Sequence, residues 1–290
     1  MERQISANNF KTGVLFALVI FLFLLAGGIV GVLAENYAWA AVILVAGVVY
    51  TAATYRSAAK RVIKLNGAQE ATRRSHRQLY LIVENLSITL GIKTPEIYVI
   101  DDPALNAFAA GHTVNKSIIG VTTGLLGALD RKELEGVMAH ELSHIVNRDV
   151  RVASIIFALV AGIGLMAYLN IRSGGGRSSR GNSGYIVLAI IAVSILLAVL
   201  AFFARMAISR RREYLADVTG AQITRYPEGL ASALEKISLH GSRLQKSSAS
   251  TAHFFLESPV KSDFLARFLS THPPIEDRIA RLRQLEAAGY

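Results

Sequence analysis

His140, Glu141 and His144, within the run His140-Glu141-Leu142-Ser143-His144, are the residues of this chain best suited to chemistry. In an α-helix, side chains four apart share a face. Two imidazoles on one face can bind one zinc ion, and the glutamate beside them can take a proton from water on that ion. The chemistry indicated is hydrolysis. The chain has no cysteine, so it has no thiolate metal site and any zinc must be held by histidine and carboxylate.

Such a site needs a helix beneath it. Asp130 and Glu133 have capping-box spacing, which predicts a helix from near Arg131 through the motif, with Leu134, Val137 and Met138 as its apolar contacts. Upstream, residues 73–90 read as an amphipathic helix with Leu79, Ile82, Val83 and Leu86 on one face and Gly91 as its stop. Glu96–Ile100 and Ser117–Val121 read as strands, with a turn at Asp101-Asp102-Pro103.

A catalytic zinc takes three protein ligands and leaves a position for water. His240, His253, His272 and several carboxylates lie downstream, and Glu213 is the best candidate among them. Glu213 and Asp217 share a helix face. One carboxylate can bind the metal while the other holds a ligand histidine by its free ring N–H.

The surrounding elements are those of a membrane protein. Hydrophobic residues make up 52% of the 290, and the mean hydropathy is +0.39. Both are too high for an ordinary soluble enzyme. Four apolar runs cover residues 13–34, 37–54, 152–169 and 185–208, each long enough to span a bilayer; the last two could instead be buried core helices or a re-entrant pair, and their length and lack of a polar stripe favour spanning. Glu35 and Asn36 alone separate the first two, which predicts a tight hairpin, and the first run is a retained anchor rather than a signal peptide. Tyr37, Trp39, Tyr50 and Tyr55 suit the two interfaces. Basic residues from Arg56 to Arg77 place that stretch, and with it the N-terminus, on the cytoplasmic side. The Gly- and Ser-rich stretch 172–184 is a flexible loop between the last two runs.

His144 precedes the third run and Glu213 follows the fourth, so two crossings bring both to one face of the membrane. The net charge of +10 suits anionic lipid headgroups, and no nucleic-acid motif accompanies it. The organisation expected is a transmembrane hairpin at 1–55, the first part of a catalytic domain at 56–149, a second hairpin at 150–208 and the rest of the catalytic domain at 209–290. The fold class is α+β: a mainly helical polytopic protein with four transmembrane helices and a catalytic domain containing a small β-sheet.

These residues resemble the HtpX-type membrane zinc metalloproteases, relatives of the CAAX prenyl proteases. The resemblance covers nearly the whole chain. It rests on the order of the apolar runs, on HExxH and on Glu-x-x-x-Asp. Asn106-Ala107-Phe108-Ala109, Asn147-Arg148-Asp149 and Thr271-His272-Pro273-Pro274 with Arg278 add to it. It implies a gluzincin with a zincin-like domain and one zinc ion. His140, His144 and Glu213 would be the ligands, Glu141 the general base and Asp217 the orienting carboxylate. His272 and Arg278 would stabilise the negative charge of the tetrahedral intermediate, and Asn106 would bind substrate backbone.

A substrate strand is expected to pair with a sheet edge at Ser117–Val121, with Ser117 and Ile119 contacting it. The role implied is quality control of misfolded membrane proteins at a prokaryotic cytoplasmic membrane, with the site facing the cytoplasm. The alternatives are an inert zinc-binding membrane scaffold and a transporter or receptor. The latter would want charged residues inside its spans, where the chain offers little beyond Arg205 near one end.

Overall fold

The computed structural model describes residues 2–33, 35–174, 191, 194–195, 198–200, 210–240 and 273–288. Helices α1 (Glu2–Leu33) and α2 (Ala38–Leu65) form the hairpin expected from the sequence. Asn36 Oδ1 accepts the Ala38 N–H at 3.0 Å, an Asx turn that leads into the second helix. α2 runs beyond the expected end of its apolar segment, through Arg56, Lys60, Arg61 and Lys64. Both helices are long and apolar enough to cross a membrane, over Ile5–Ile29 and Ala40–Leu65. Their outer faces expose Phe21, Leu24, Val32, Val42, Val45 and Val49, with Phe21 at 58% and Val49 at 61%. A contiguous apolar surface of this kind suits lipid rather than water.

Two such helices occur among the described residues, where the sequence suggested four. The third apolar run lies on α6 (Asp149–Gly174), and the first half of that helix is buried inside the protein. Val152, Ile155, Ile156 and Leu159 pack on Leu15, Val19 and Phe23 of α1. Ala153 and Phe157 join Ala58 and Val62 of α2 and, from the sheet, Phe108 and Ala110. α6 therefore ties the hairpin to the domain that carries the site. The fourth run lies mostly outside the described residues, as does most of the 172–184 loop.

The sheet has four strands: β1 (Gln69–Glu70), β2 (Glu96–Ile100), β3 (Ala107–Gly111) and β4 (Ser117–Thr122), in the order β1-β2-β4-β3. β2 and β4 are parallel, and the two outer pairs are antiparallel. β4 is paired on both sides. Ser117 and Ile119 are thus on an inner strand, 4% and 0% exposed, and offer no edge to a substrate. The expectation of pairing there fails because β3, rich in alanine and glycine, carries little strand signal of its own.

On the sheet and around it pack α3 (Arg77–Thr89), α4 (Thr123–Ala128), α5 (Arg131–Val146), α7 (Arg210–Thr224), α8 (Pro227–His240) and α9 (Ile275–Ala287). α3 buries Leu79, Ile82, Val83 and Leu86, the face its periodicity predicts, and ends before Gly91 at φ +66°. It starts four residues later than expected. α5 is the central helix. Asp130 accepts the N–H groups of Lys132 and Glu133 at 2.8 and 2.9 Å, and Glu133 accepts the Asp130 N–H at 2.8 Å, which completes the capping box. Glu133 also accepts Ser232 Oγ at 2.6 Å and Lys236 Nζ at 2.7 Å. The cap that begins α5 thereby pins it to α8.

Candidate metal centre

His140 and His144 sit one turn apart on α5, with ring centroids 4.7 Å apart and their Nε2 atoms 3.1 Å apart. Glu213, on α7, brings Oε2 to 3.8 Å from His140 Nε2 and Oε1 to 3.8 Å from His144 Nε2. One ligand atom from each of the three residues lies within 4.8 Å of the other two. α7 can come this close because residue 220 is glycine: a Cβ there would stand 3.2 Å from the His140 backbone nitrogen. His140 and Glu213 are almost wholly buried, and the His144 side chain keeps 14% exposure, which leaves an approach on its side.

Each imidazole is aimed by a carboxylate on its far nitrogen. His140 Nδ1 donates to Asp217 Oδ1 at 2.9 Å, and His144 Nδ1 donates to Asp149 Oδ2 at 2.8 Å. A carboxylate accepts only, so both rings turn Nε2 toward Glu213. Asp217 holds the position expected of it, one turn beyond Glu213. The sequence alone gives Asp149 no role. It reaches His144 because the chain turns between α5 and α6 at Arg148, which has a φ of +60°. Its place in Asn147-Arg148-Asp149, five residues past a candidate ligand, was the available signal.

Arg278 is 2% exposed and sits behind Asp217. Nε donates to Asp217 Oδ2 at 2.9 Å and Nη2 to Oδ1 at 2.7 Å. Nη2 also lies 3.4 Å from His140 Nε2. The guanidinium expected to face the reacting group is bound to the orienting carboxylate. His272 lies outside the described residues, as does His253. His240 ends α8 and turns Nδ1 to the Lys236 carbonyl. Asn106 is buried just before β3. Its Oδ1 accepts the Ala107 N–H at 3.0 Å, and its backbone pairs with Thr122.

The charges are set by burial and by these partners. Burial pushes His140 down to about 4, against the pull of Asp217, so its ring is neutral at pH 7. Burial also opposes charge on His144, but Glu213 and Asp149 outweigh it and hold this ring up at about 9. The short Nε2–Nε2 contact is then a hydrogen bond from His144 to the His140 lone pair. A divalent cation replacing that proton meets two imidazole lone pairs and a carboxylate, a donor set that suits zinc. Burial lifts Glu141 to about 7, where a carboxyl can accept and return a proton near neutrality, and the Ala109 N–H donates to it from β3. Burial disfavours the Asp217 anion, yet Arg278 and His140 together bring it down to about 2.

A sequence profile of peptidase family M48 matches residues 73–286. A protease HtpX homolog of Tropheryma whipplei (strain Twist) is 41% identical over 273 residues, covering 92% of this chain and 94% of that protein. One from Dictyoglomus thermophilum is 42% identical over 286 residues, covering 97% and 93%. Among solved structures, S. mikatae Ste24p superposes with a TM-score of 0.51 at 18% identity, over 97% of this chain and 66% of that longer one. That likeness is one of fold.

Proposed function

This chain belongs to peptidase family M48 and is a metalloprotease, and on that premise we propose that it is a zinc-dependent endopeptidase built into a membrane. One observation carries the reading. The ligand atoms of His140, His144 and Glu213 converge, and buried carboxylates orient both imidazoles from behind. The ion would supply Lewis-acid polarisation of the scissile carbonyl and of the attacking water.

The chain's own residues do the rest. Glu141 takes the proton of the attacking water and hands it to the leaving amine, and its raised pKa suits both steps. Asp217 and Asp149 keep the ring nitrogens on target. Arg278 acts through Asp217, as a positioning residue. His272, just before α9, is assigned to the developing oxyanion.

Substrate backbone is assigned to the outer edge of β3, Ala107–Gly111, whose side chains are buried and whose unpaired main-chain edge is what it would offer. Among the described residues this strand is paired only with β4, and its Ala109 N–H already points to Glu141. Asn106 fixes the start of this strand. Main-chain pairing along it would tolerate many sequences, as removal of damaged proteins requires.

The exposed apolar faces of α1 and α2 support residence in the bilayer. The packing of α6 against α1 holds the site-bearing domain to that hairpin, and the proposed partner of α6, residues 185–208, lies mostly outside the described residues. Basic residues at the inner end of α2 support a site facing the cytoplasm of a prokaryotic cell. Misfolded membrane proteins, whose loops reach that surface, are the substrates proposed. Glu141→Gln in the full chain tests the mechanism. It should abolish cleavage of an unfolded protein while zinc content stays at one per chain. Cleavage at the parental rate would refute the role of Glu141.

A further inference from the structure

The buried polar groups on α1 do not belong to a simple anchor. Asn8 is 1% exposed, and its Nδ2 donates at 2.6 Å to Asp149 Oδ1 and at 2.8 Å to the Asn147 carbonyl. The other oxygen of the same carboxylate, Oδ2, accepts His144 Nδ1. A single carboxylate therefore joins a residue of the first membrane helix to a metal-centre imidazole. Beside it, Asn9 Oδ1 accepts Arg148 Nη1 at 3.2 Å and Arg151 Nη1 at 2.8 Å. The turn between α5 and α6, which brings Asp149 under His144, is thus held by two consecutive asparagines about 140 positions earlier. Arg212 Nε approaches Asp149 Oδ1 only to 3.5 Å, so Asn8 makes the shorter contact to that oxygen. Lipid demands no polar side chain here, and a polar group inside an apolar helix that faces protein marks function more often than anchoring.

We infer that Asn8 is a positioning residue of the metal centre, acting through Asp149 on His144, so that the first membrane helix is a working part of the site. The inference rests on the zinc reading above. Its amide delivers two donors to two acceptors at fixed distances. Without them Asp149 turns away, and His144 loses the acceptor that fixes its tautomer. Residues that orient metal-binding imidazoles in this way are worth about 10- to 100-fold in metal affinity.

The test uses the full chain in lipid nanodiscs, with zinc affinity measured by chelator competition and cleavage of an unfolded protein resolved into kcat and KM. Asn8→Ala and Asn8→Asp should weaken zinc binding by about tenfold or more and lower kcat with KM unchanged. Asn8→Asp places a second carboxylate against Asp149 and should be the worse of the two. Phe10→Ala, on the exposed face of the same helix, should leave both quantities as they are. Parental zinc affinity in both Asn8 variants would overturn the inference. So would equal losses in Asn8→Ala and Phe10→Ala, which would reveal a general loosening of α1. Glu213→Ala keeps the two readings apart. If it loses zinc while Asn8→Ala does not, the metal centre stands and the role of Asn8 falls. If it keeps zinc at parental affinity, the ligand set itself is wrong.

Discussion

Arg278 grips Asp217 through two hydrogen bonds, Nε to Oδ2 at 2.9 Å and Nη2 to Oδ1 at 2.7 Å, with both side chains buried. A helix near the C-terminus thereby holds the carboxylate that aims His140. Arg278→Ala strands a buried anion, a change that costs about 3–5 kcal/mol when a buried pair loses one partner. Arg278→Lys cannot restore the fork geometry and should recover little. Apparent melting temperature and zinc affinity should fall together in both variants. Asp217 sits at about 2 in the fold and ordinarily at 3.8, so its contribution is complete above 3.8 and disappears as pH falls toward 2. At pH 7 the full loss should be visible.

Glu141→Gln should trade activity for stability. Burial raises Glu141 from 4.5 to about 7, so the unfolded chain loses this proton first as pH rises. The carboxyl therefore destabilises the fold progressively between pH 4.5 and 7, and fully above that, by about 3 kcal/mol at most. A glutamine accepts the Ala109 N–H without that cost. Metal-free Glu141→Gln should melt higher than the metal-free parent at pH 8 and level with it at pH 4.5. An unchanged melting temperature at pH 8 would mean that the carboxyl is not strained by burial.

The parts of the fold that were legible in the sequence are those written in local patterns. The α5 helix follows from Asp130, Glu133 and the spacing of its histidines, and its capping box forms as expected. The bounds of β2 and the buried face of α3 match their apolar periodicity. Ala107-Phe108-Ala109-Ala110-Gly111 gives no such signal. It becomes a strand because β4 pairs with it and because α2, α5 and α6 cover it. In the site, Asp217 was legible by its spacing from Glu213. Asp149 was not, because its approach to His144 depends on a left-handed arginine that local propensity disfavours. The partner of Arg278 was hidden for a different reason: 61 residues separate it from Asp217, and only the packing of α9 joins them.

Zinc binding should release a proton near neutral pH. His144 keeps its proton up to about 9, so zinc must displace it. Affinity should rise about tenfold per pH unit from 7 to 9 and level off above 9, since a histidine ligand binds metal in its neutral form. Calorimetry in buffers of different ionisation enthalpy counts the protons directly. A flat affinity between pH 7 and 9 would contradict the charge assigned to His144.

Gly220 sets the spacing between α5 and α7. A leucine there would press on the His140 backbone, where even a Cβ comes to 3.2 Å, and must push α7 outward and carry Glu213 away from the imidazoles. Gly220→Leu should weaken zinc binding more than it disturbs the far side of α5, where Gly136 meets Leu230. Parental zinc affinity would show that the helices can separate without opening the site.

The zinc affinity of Glu213→Ala in the full chain, measured by chelator competition at pH 8, tests the central claim most directly. Losing one of three protein ligands should weaken binding by several orders of magnitude, and cleavage should vanish with it. Binding at the parental affinity would remove Glu213 from the metal. The two halves of the chain would then have to meet for some reason other than zinc.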